Sequence, residues 1–203
     1  MSVQLTARRT AVIGGNGTGK STFARLLNGL RMPSSGRISV LGLDPAVEAK
    51  ELRRRVGFVF TNPEAQILMP TAAEDLALSL RGVPRHEIPA RIEQVLAEYG
   101  LAGLGNVPAS GLSGGQRQLL ALAAVLVTGP ELVVADEPTT LLDLRNARRV
   151  GDLLLGLESR LVLVTHDLEL AARCDEAVLF EGGRVRAQGE SAEVIDEYRV
   201  SCS

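Results

Sequence analysis

One stretch of this 203-residue chain carries recognisable chemistry on its own: Gly14-Gly15-Asn16-Gly17-Thr18-Gly19-Lys20-Ser21. It has the form G-x-x-x-x-G-K-[ST]. Phosphate oxygens need several backbone N–H groups pointing inward, and only glycine lets a chain wrap that tightly. A helix starting just after the loop adds a partial positive charge. Lys20 can reach the β- and γ-phosphates of a nucleotide, the Ser21 hydroxyl can ligate Mg²⁺, and Thr22 extends the cradle. A chance glycine turn need not lie between a strand and a helix. This one follows the apolar run Thr10–Ile13 and precedes Phe23, Leu26, Leu27 and Leu30 at helical spacing.

Three further constellations follow. Leu132-Val133-Val134-Ala135 is an apolar strand ending in Asp136-Glu137. A carboxylate at such a strand end can hold Mg²⁺, and a second one can poise an attacking water as a general base. Taken alone, the pair reads equally well as a solvated acidic loop. Leu112-Ser113-Gly114-Gly115-Gln116 opens a long apolar helix. Small residues at a helix start make an anion site, or simply a serine-capped helix after a glycine turn. His166 ends the run Val162-Leu163-Val164-Thr165. A lone histidine there is most often structural, yet at the C-terminal edge of a parallel sheet it can donate to a phosphate. His86 sits in a proline-flanked stretch and receives no role.

These residues need a scaffold. Buried strands are expected at 10–13, 56–60, 132–135 and 160–164, a half-buried strand at 37–41, and a hairpin over 177–187 turning at Gly182-Gly183. Helices are expected at 21–30, 46–54, 72–81, 87–99, 113–128, 144–157 and 168–173. Strands alternating with helices argue an α/β fold with a mostly parallel sheet. Residues 61–112 hold helical stretches between Pro63, Pro70, Pro84, Pro89 and Pro108 and read as a mainly helical insertion. Counting the helix that follows, a helical subdomain of about 61–128 interrupts a core of 1–60 and 129–203 within one domain. Glycines gather at 14–19, 103–115 and 182–189, where the backbone turns or does chemistry.

Composition narrows the function. Apolar types make up 45% and charged types 23%, with a net charge of −2, which excludes disorder and a broadly basic nucleic-acid surface. Aromatics are 3% and tryptophan is absent, so a base-stacking platform is not expected. Cys174 and Cys202 form no metal-ligand spacing and fit a reducing compartment. The longest apolar run, Leu119–Val127, is half of the roughly 18 residues that a bilayer span needs. Arg8-Arg9 precede a glycine loop rather than a greasy segment, so no secretion signal is expected.

In order and spacing, the phosphate loop, Leu112-Ser113-Gly114-Gly115-Gln116, the Asp136-Glu137-Pro138 strand end and His166 resemble the ATP-binding-cassette (ABC) ATPases over nearly the whole chain. The resemblance implies a phosphate-loop ATPase fold whose helical subdomain carries the Leu-Ser-Gly-Gly-Gln signature. It implies ATP and Mg²⁺, with Ser21 and Asp136 on the metal. It also implies a dimer in which Ser113, Gly114, Gly115 and Gln116 of one copy meet ATP held by Gly14–Thr22 of the other. Glu137 would orient or deprotonate the water, His166 would bind the γ-phosphate, and Asp143 is the acidic member of the loop after Pro138. Val56–Gln66 and Met69-Pro70-Thr71 are similar to the energy-coupling-factor branch of vitamin and metal importers, and Asp136–Asp143 to its biotin-type members. The implied partners are a transmembrane subunit, met by the helical subdomain, and a second ATPase copy, identical or paralogous. The implied place is the cytoplasmic face of the membrane. An exporter ATPase shares every catalytic motif, and a soluble cassette protein is a more distant alternative. The helical subdomain could also merely cover the sheet.

Two departures from the family stand out. Thr61 occupies the position of the usual Q-loop glutamine and is too short for ready metal contact. Gln66 lies five residues on and is read as facing the membrane partner. Only Met1–Arg9 precede the first core strand, where the family carries an antiparallel strand pair and an adenine-stacking aromatic. Stacking contributes about 1 kcal/mol, roughly fivefold in affinity. The chain is therefore expected to bind ATP more weakly than its longer relatives, as a titration would show.

Overall fold

Runs of Val, Leu and Ala too short for helices form the centre of a sheet in this computed structural model, which describes residues 2–201. The strands are β1 (Arg9–Ile13), β2 (Val56–Val59), β3 (Leu132–Asp136), β4 (Arg160–Val164), β5 (Glu176–Glu181) and β6 (Arg184–Glu190). Their order is β2-β3-β4-β1-β5-β6. All neighbours pair in parallel except β5 and β6, the antiparallel hairpin. Gly182 and Gly183 both take positive φ, 53° and 77°, as a tight two-residue hairpin turn requires.

The inner strands read as unbroken apolar runs because both faces are covered. Val12, Val134, Val162, Val178 and Phe180 face one core with Phe23, Leu27 and Leu52, which come from α1 (Lys20–Leu27) and α2 (Ala49–Arg55). Ile13, Val133, Leu161, Leu163 and Leu179 face the other, with Leu76, Leu120, Leu154 and Ile195. That core is closed by α3 (Ala72–Ser79), α4 (Ile88–Glu98), α5 (Gly114–Leu126), α6 (Leu144–Leu155), α7 (Leu168–Ala171) and α8 (Ser191–Ser201). Short 3-10 turns lie at Pro63–Ala65 and Ala109–Gly111. Among the described residues, no helix is long and apolar enough to cross a membrane.

Two elements differ from the sequence reading. Residues 37–41 are not a strand of the sheet. Val40 and Leu43 form an isolated bridge across a turn in which Leu41 and Gly42 take φ of 53° and 81°. Ile38 and Val40 satisfy their apolar pattern by packing on the α1 side of the core. Helix α8 carries no expectation from the sequence, although Val194, Ile195 and Tyr198 have helical spacing and pack inward. Cys174 is a free buried thiol whose pKa burial pushes up to about 12, while Cys202 lies outside the described residues.

Candidate nucleotide site

Strand register explains why residues so far apart in sequence meet. Val12 of β1 and Asp136 of β3 both stand level with Val164 of β4. The loop after β1, the carboxylates ending β3 and the segment after β4 therefore emerge together. This is the crevice beyond the carboxyl ends of parallel strands, where open α/β sheets take ligands.

The loop is shaped by its glycines. Gly14, Gly17 and Gly19 take φ of 134°, 75° and 102°. A Cβ on Gly14 would strike the Phe180 carbonyl of β5, so the loop is pressed against the neighbouring strand. Gly14→Ala should therefore lower the melting temperature by several degrees, a test that calorimetry makes directly. Lys20 is buried, and its Nζ donates to the Gly14 and Gly15 carbonyls at 2.7 and 2.8 Å. The Thr18 hydroxyl donates to the Gly15 carbonyl at 2.9 Å, while Asn16 and Gly17 lie exposed. Thr22 is turned to Arg31, whose Nη1 donates to its hydroxyl at 3.1 Å.

The Ser21 hydroxyl donates to Asp136 Oδ1 at 2.8 Å. Asp136 is 2% exposed, and burial holds its pKa above the ordinary carboxylate value, against the Ser21 bond and the charges of Arg25 and Lys20. The pair offers two hard oxygens side by side, a donor set that suits Mg²⁺ completed by phosphates and water. A raised pKa means that the folded chain prefers the neutral acid. The resulting stability cost is absent below the unfolded value of 3.8 and complete above the folded one. Asp136→Asn should thus melt higher than wild type at pH 7 without nucleotide, lose that advantage as the pH falls below the unfolded value of 3.8, and hydrolyse poorly.

Glu137 follows in a left-handed conformation, φ 52°, uncommon for a residue other than glycine and costly enough to point to function. Its N–H donates to the Val164 carbonyl at 2.9 Å. Its Oε2 lies 2.7 Å from His166 Nδ1 and accepts from the Thr140 hydroxyl at 2.9 Å. No hydrogen bond falls on Oε1 among the described residues, so that oxygen is available to a water. His166 is 59% exposed at its side chain, with its other ring nitrogen outside this contact.

The serine–glycine segment lies elsewhere. Ser113 caps α5: its Oγ accepts from Gln116 N at 3.2 Å, and Gln116 Oε1 accepts from Ser113 N at 2.8 Å, a reciprocal capping box. Ser113 and Gly114 are exposed. No hydrogen bond joins residues 113–116 to residues 14–21 among the described residues. Gly115 is buried, and a Cβ there would lie 2.6 Å from the Asn146 side chain. Asn146 in turn binds Asp143 through its N–H and its amide, both at 2.8 Å. Within this chain Asp143 is thus the cap of α6, and those bonds hold its carboxyl below the usual range.

Thr61 is legible in the sequence only as a departure, whereas Gln66 belongs to the stretch 56–66 that resembles the energy-coupling-factor branch. Thr61 donates to the Asp136 main-chain carbonyl at 2.7 Å, bracing the strand end from behind. Gln66 does not face outward, as the sequence reading has it. Its amide oxygen accepts from Phe60 N at 3.1 Å and its Nε2 donates to the Ala121 carbonyl at 2.7 Å.

A glycine cradle with a buried lysine, a hydroxyl–carboxylate pair and a poised second carboxylate on a parallel sheet define a phosphate-loop nucleoside triphosphatase. The family model described as ABC transporter matches residues 2–140, and the chain belongs to that family as an ATP-binding, ATP-hydrolysing domain. A putative ABC transporter ATP-binding protein of Deinococcus radiodurans is 48% identical, covering 98% of this chain and 89% of the relative. The biotin transport ATP-binding protein BioM of Rhizobium etli is 44% identical over the same shares, 98% and 89%. Among solved structures, cbiO1 of Clostridium perfringens, part of the ABC transporter complex cbiONQ, superposes with a TM-score of 0.84 at 32% identity, covering 98% of this chain and 84% of that one. The dimeric ATP-binding cassette MJ0796 bound to ADP and Pi gives 0.81 at 27% identity, covering 93% and 88%.

Proposed function

We propose that this chain is the energy-coupling ATPase of a membrane importer for a vitamin or metal ion. It would work at the cytoplasmic face as one of two cassettes that enclose ATP between them. The observation that carries the two-cassette reading is the exposed start of α5. Ser113 and Gly114 present a helix N-terminus to solvent, with no bond to the phosphate loop of their own chain. A second copy or a paralogue supplies the nucleotide that they meet, and the MJ0796 relative is itself a dimer holding ADP and Pi.

In this reading Gly14–Thr22 bind the phosphates, and Lys20 leaves its loop carbonyls to meet the β- and γ-oxygens. Ser21 and Asp136 hold Mg²⁺, which would supply positive charge against the phosphates. Glu137 takes the proton of the attacking water through its free oxygen. His166 binds the γ-phosphate, and Ser113–Gln116 and Asp143 reach it from the partner cassette. Closure and loading are coupled because the γ-phosphate charge lacks donors until both halves surround it.

The transport part is supported by the names of relatives, which include biotin, nickel and energy-coupling-factor transport proteins. The helical insertion adds a surface: Leu68 is 72% exposed, next to Met69 and Pro70. Co-expression with membrane proteins encoded beside it should yield a complex that hydrolyses ATP faster than the chain alone. Leu68→Asp should weaken that complex about tenfold. A chain that stays solitary and fully active would overturn the reading. Ser113→Arg tests the two-cassette part separately. It should leave ATP binding by single chains within about twofold and cut hydrolysis about a hundredfold, the scale of one lost transition-state donor.

A further inference from the structure

Gln66 connects parts of the molecule that none of the nucleotide motifs connects. Its amide oxygen takes the Phe60 N–H, at the end of β2, and its Nε2 gives a bond to Ala121, about two turns into α5. Five residues earlier, Thr61 grips the Asp136 carbonyl. The path between them is stiff. Asn62 Oδ1 accepts from Glu64 N at 3.0 Å, and Gln66 N and Ile67 N donate to the Pro63 carbonyl at 3.0 and 2.9 Å. Beside the brace α5 sits directly on β2, since a Cβ at Gly57 would lie 2.5 Å from Val125 Cγ1. One short segment therefore grips the strand that ends in Asp136-Glu137 with one hand and the helix that begins at Ser113 with the other.

We infer that Gln66 is a positioning residue for hydrolysis. It sets the angle of α5, and so the place of the Ser113 tip, relative to the Asp136–Glu137 end of the sheet. Thr61 holds the other end of the same linkage in place of a metal contact. The chemistry selects an amide, because one group must accept at Phe60 and donate at Ala121. Leucine does neither. A glutamate accepts at Phe60, but its ionised oxygen opposes the Ala121 carbonyl and can donate there only when protonated. The inference rests on the ATPase and two-cassette readings and is independent of the transported molecule.

The test compares wild type, Gln66→Leu and Gln66→Glu in the purified full chain. It measures kcat and KM for ATP, binding of a fluorescent ATP analogue to single chains, and melting temperature. Gln66→Leu should lower kcat about tenfold while leaving single-chain affinity within about twofold, because the phosphate loop is untouched. The Ala121 carbonyl facing a glutamate here favours its protonated form and raises its pKa, so the ratio of Gln66→Glu activity to wild type should fall severalfold from pH ~5 to pH ~8 as the carboxyl loses its proton. Glu64 on the same turn, Arg117 on α5, Glu74 and Asp75 on α3 and Asp136 on β3 are common to both proteins and cancel in that ratio. Gln66→Leu turnover within twofold of wild type would overturn the inference. So would a loss of affinity and melting temperature in step with kcat, or a flat pH ratio. Should the leucine variant fail to fold, the pH ratio decides. Full turnover in Ser113→Arg would sink the two-cassette reading instead, whereas a dead Ser113→Arg beside a normal Gln66→Leu would sink only this inference.

Discussion

Glu137→Gln is expected to bind ATP with affinity within about threefold of wild type and to hydrolyse it 10²–10⁴ times more slowly, the usual contribution of a positioned general base. The reason is local. The glutamine keeps an oxygen for the Thr140 hydroxyl and leaves the phosphate loop untouched, but it cannot take a proton. Its amide also changes the partner of His166 Nδ1, 2.7 Å away in the wild type, from a carboxylate to a neutral group. Single-turnover hydrolysis measured beside equilibrium ATP binding separates the two effects. Because product forms slowly, the variant should collect in the two-cassette form when ATP is present, which light scattering can follow. Rapid turnover by this variant would remove Glu137 from its role and leave the base to be found elsewhere.

Lys20→Met should act at the earlier step. Without nucleotide, Lys20 is 6% exposed and its ammonium is occupied by two loop carbonyls. A methionine of similar length fills the space but leaves those carbonyls without their donor and the phosphates without their cation. Hydrogen bonds to charged groups contribute about 1.5–3 kcal/mol each. The bonds to charged phosphate outweigh the two that the wild type gives up at neutral loop carbonyls, so an affinity drop of roughly tenfold to a hundredfold is expected by calorimetric titration, with hydrolysis lost alongside. Burial lowers the Lys20 pKa, more than Glu137 and Asp136 raise it. The cradle therefore sheds its charge at a lower pH than a free lysine would, and wild-type ATP affinity should decline on the alkaline side sooner than an ordinary lysine predicts. An affinity unchanged in Lys20→Met would mean that the loop's N–H groups bind the phosphates unaided.

Both predictions concern residues that the amino-acid sequence itself makes legible. A glycine loop between an apolar run and a helical one, or two carboxylates ending a Val-rich strand, is visible because local chemistry forces it. Glycine takes the positive φ of positions 14, 17 and 19 with least strain, and only a strand buried on both faces needs the unbroken apolar run of 132–135. The same logic misplaces 37–41, whose alternation is real but is used against α1 without a strand partner. It finds no helix at 191–201, although Val194, Ile195 and Tyr198 stand at helical spacing there.

What escapes local reading has a common cause. The order β2-β3-β4-β1-β5-β6 follows from how two helical layers cover one sheet, and no window of sequence contains that. Thr61 meets a carbonyl 75 residues away and Gln66 one 55 residues away, and every residue of the chain offers a carbonyl, so residue type cannot name the partner. The amino-acid types dictated which groups are able to hold a triphosphate. Long-range packing chose which of them stand together, which cap a helix, and which face outward to await a second cassette.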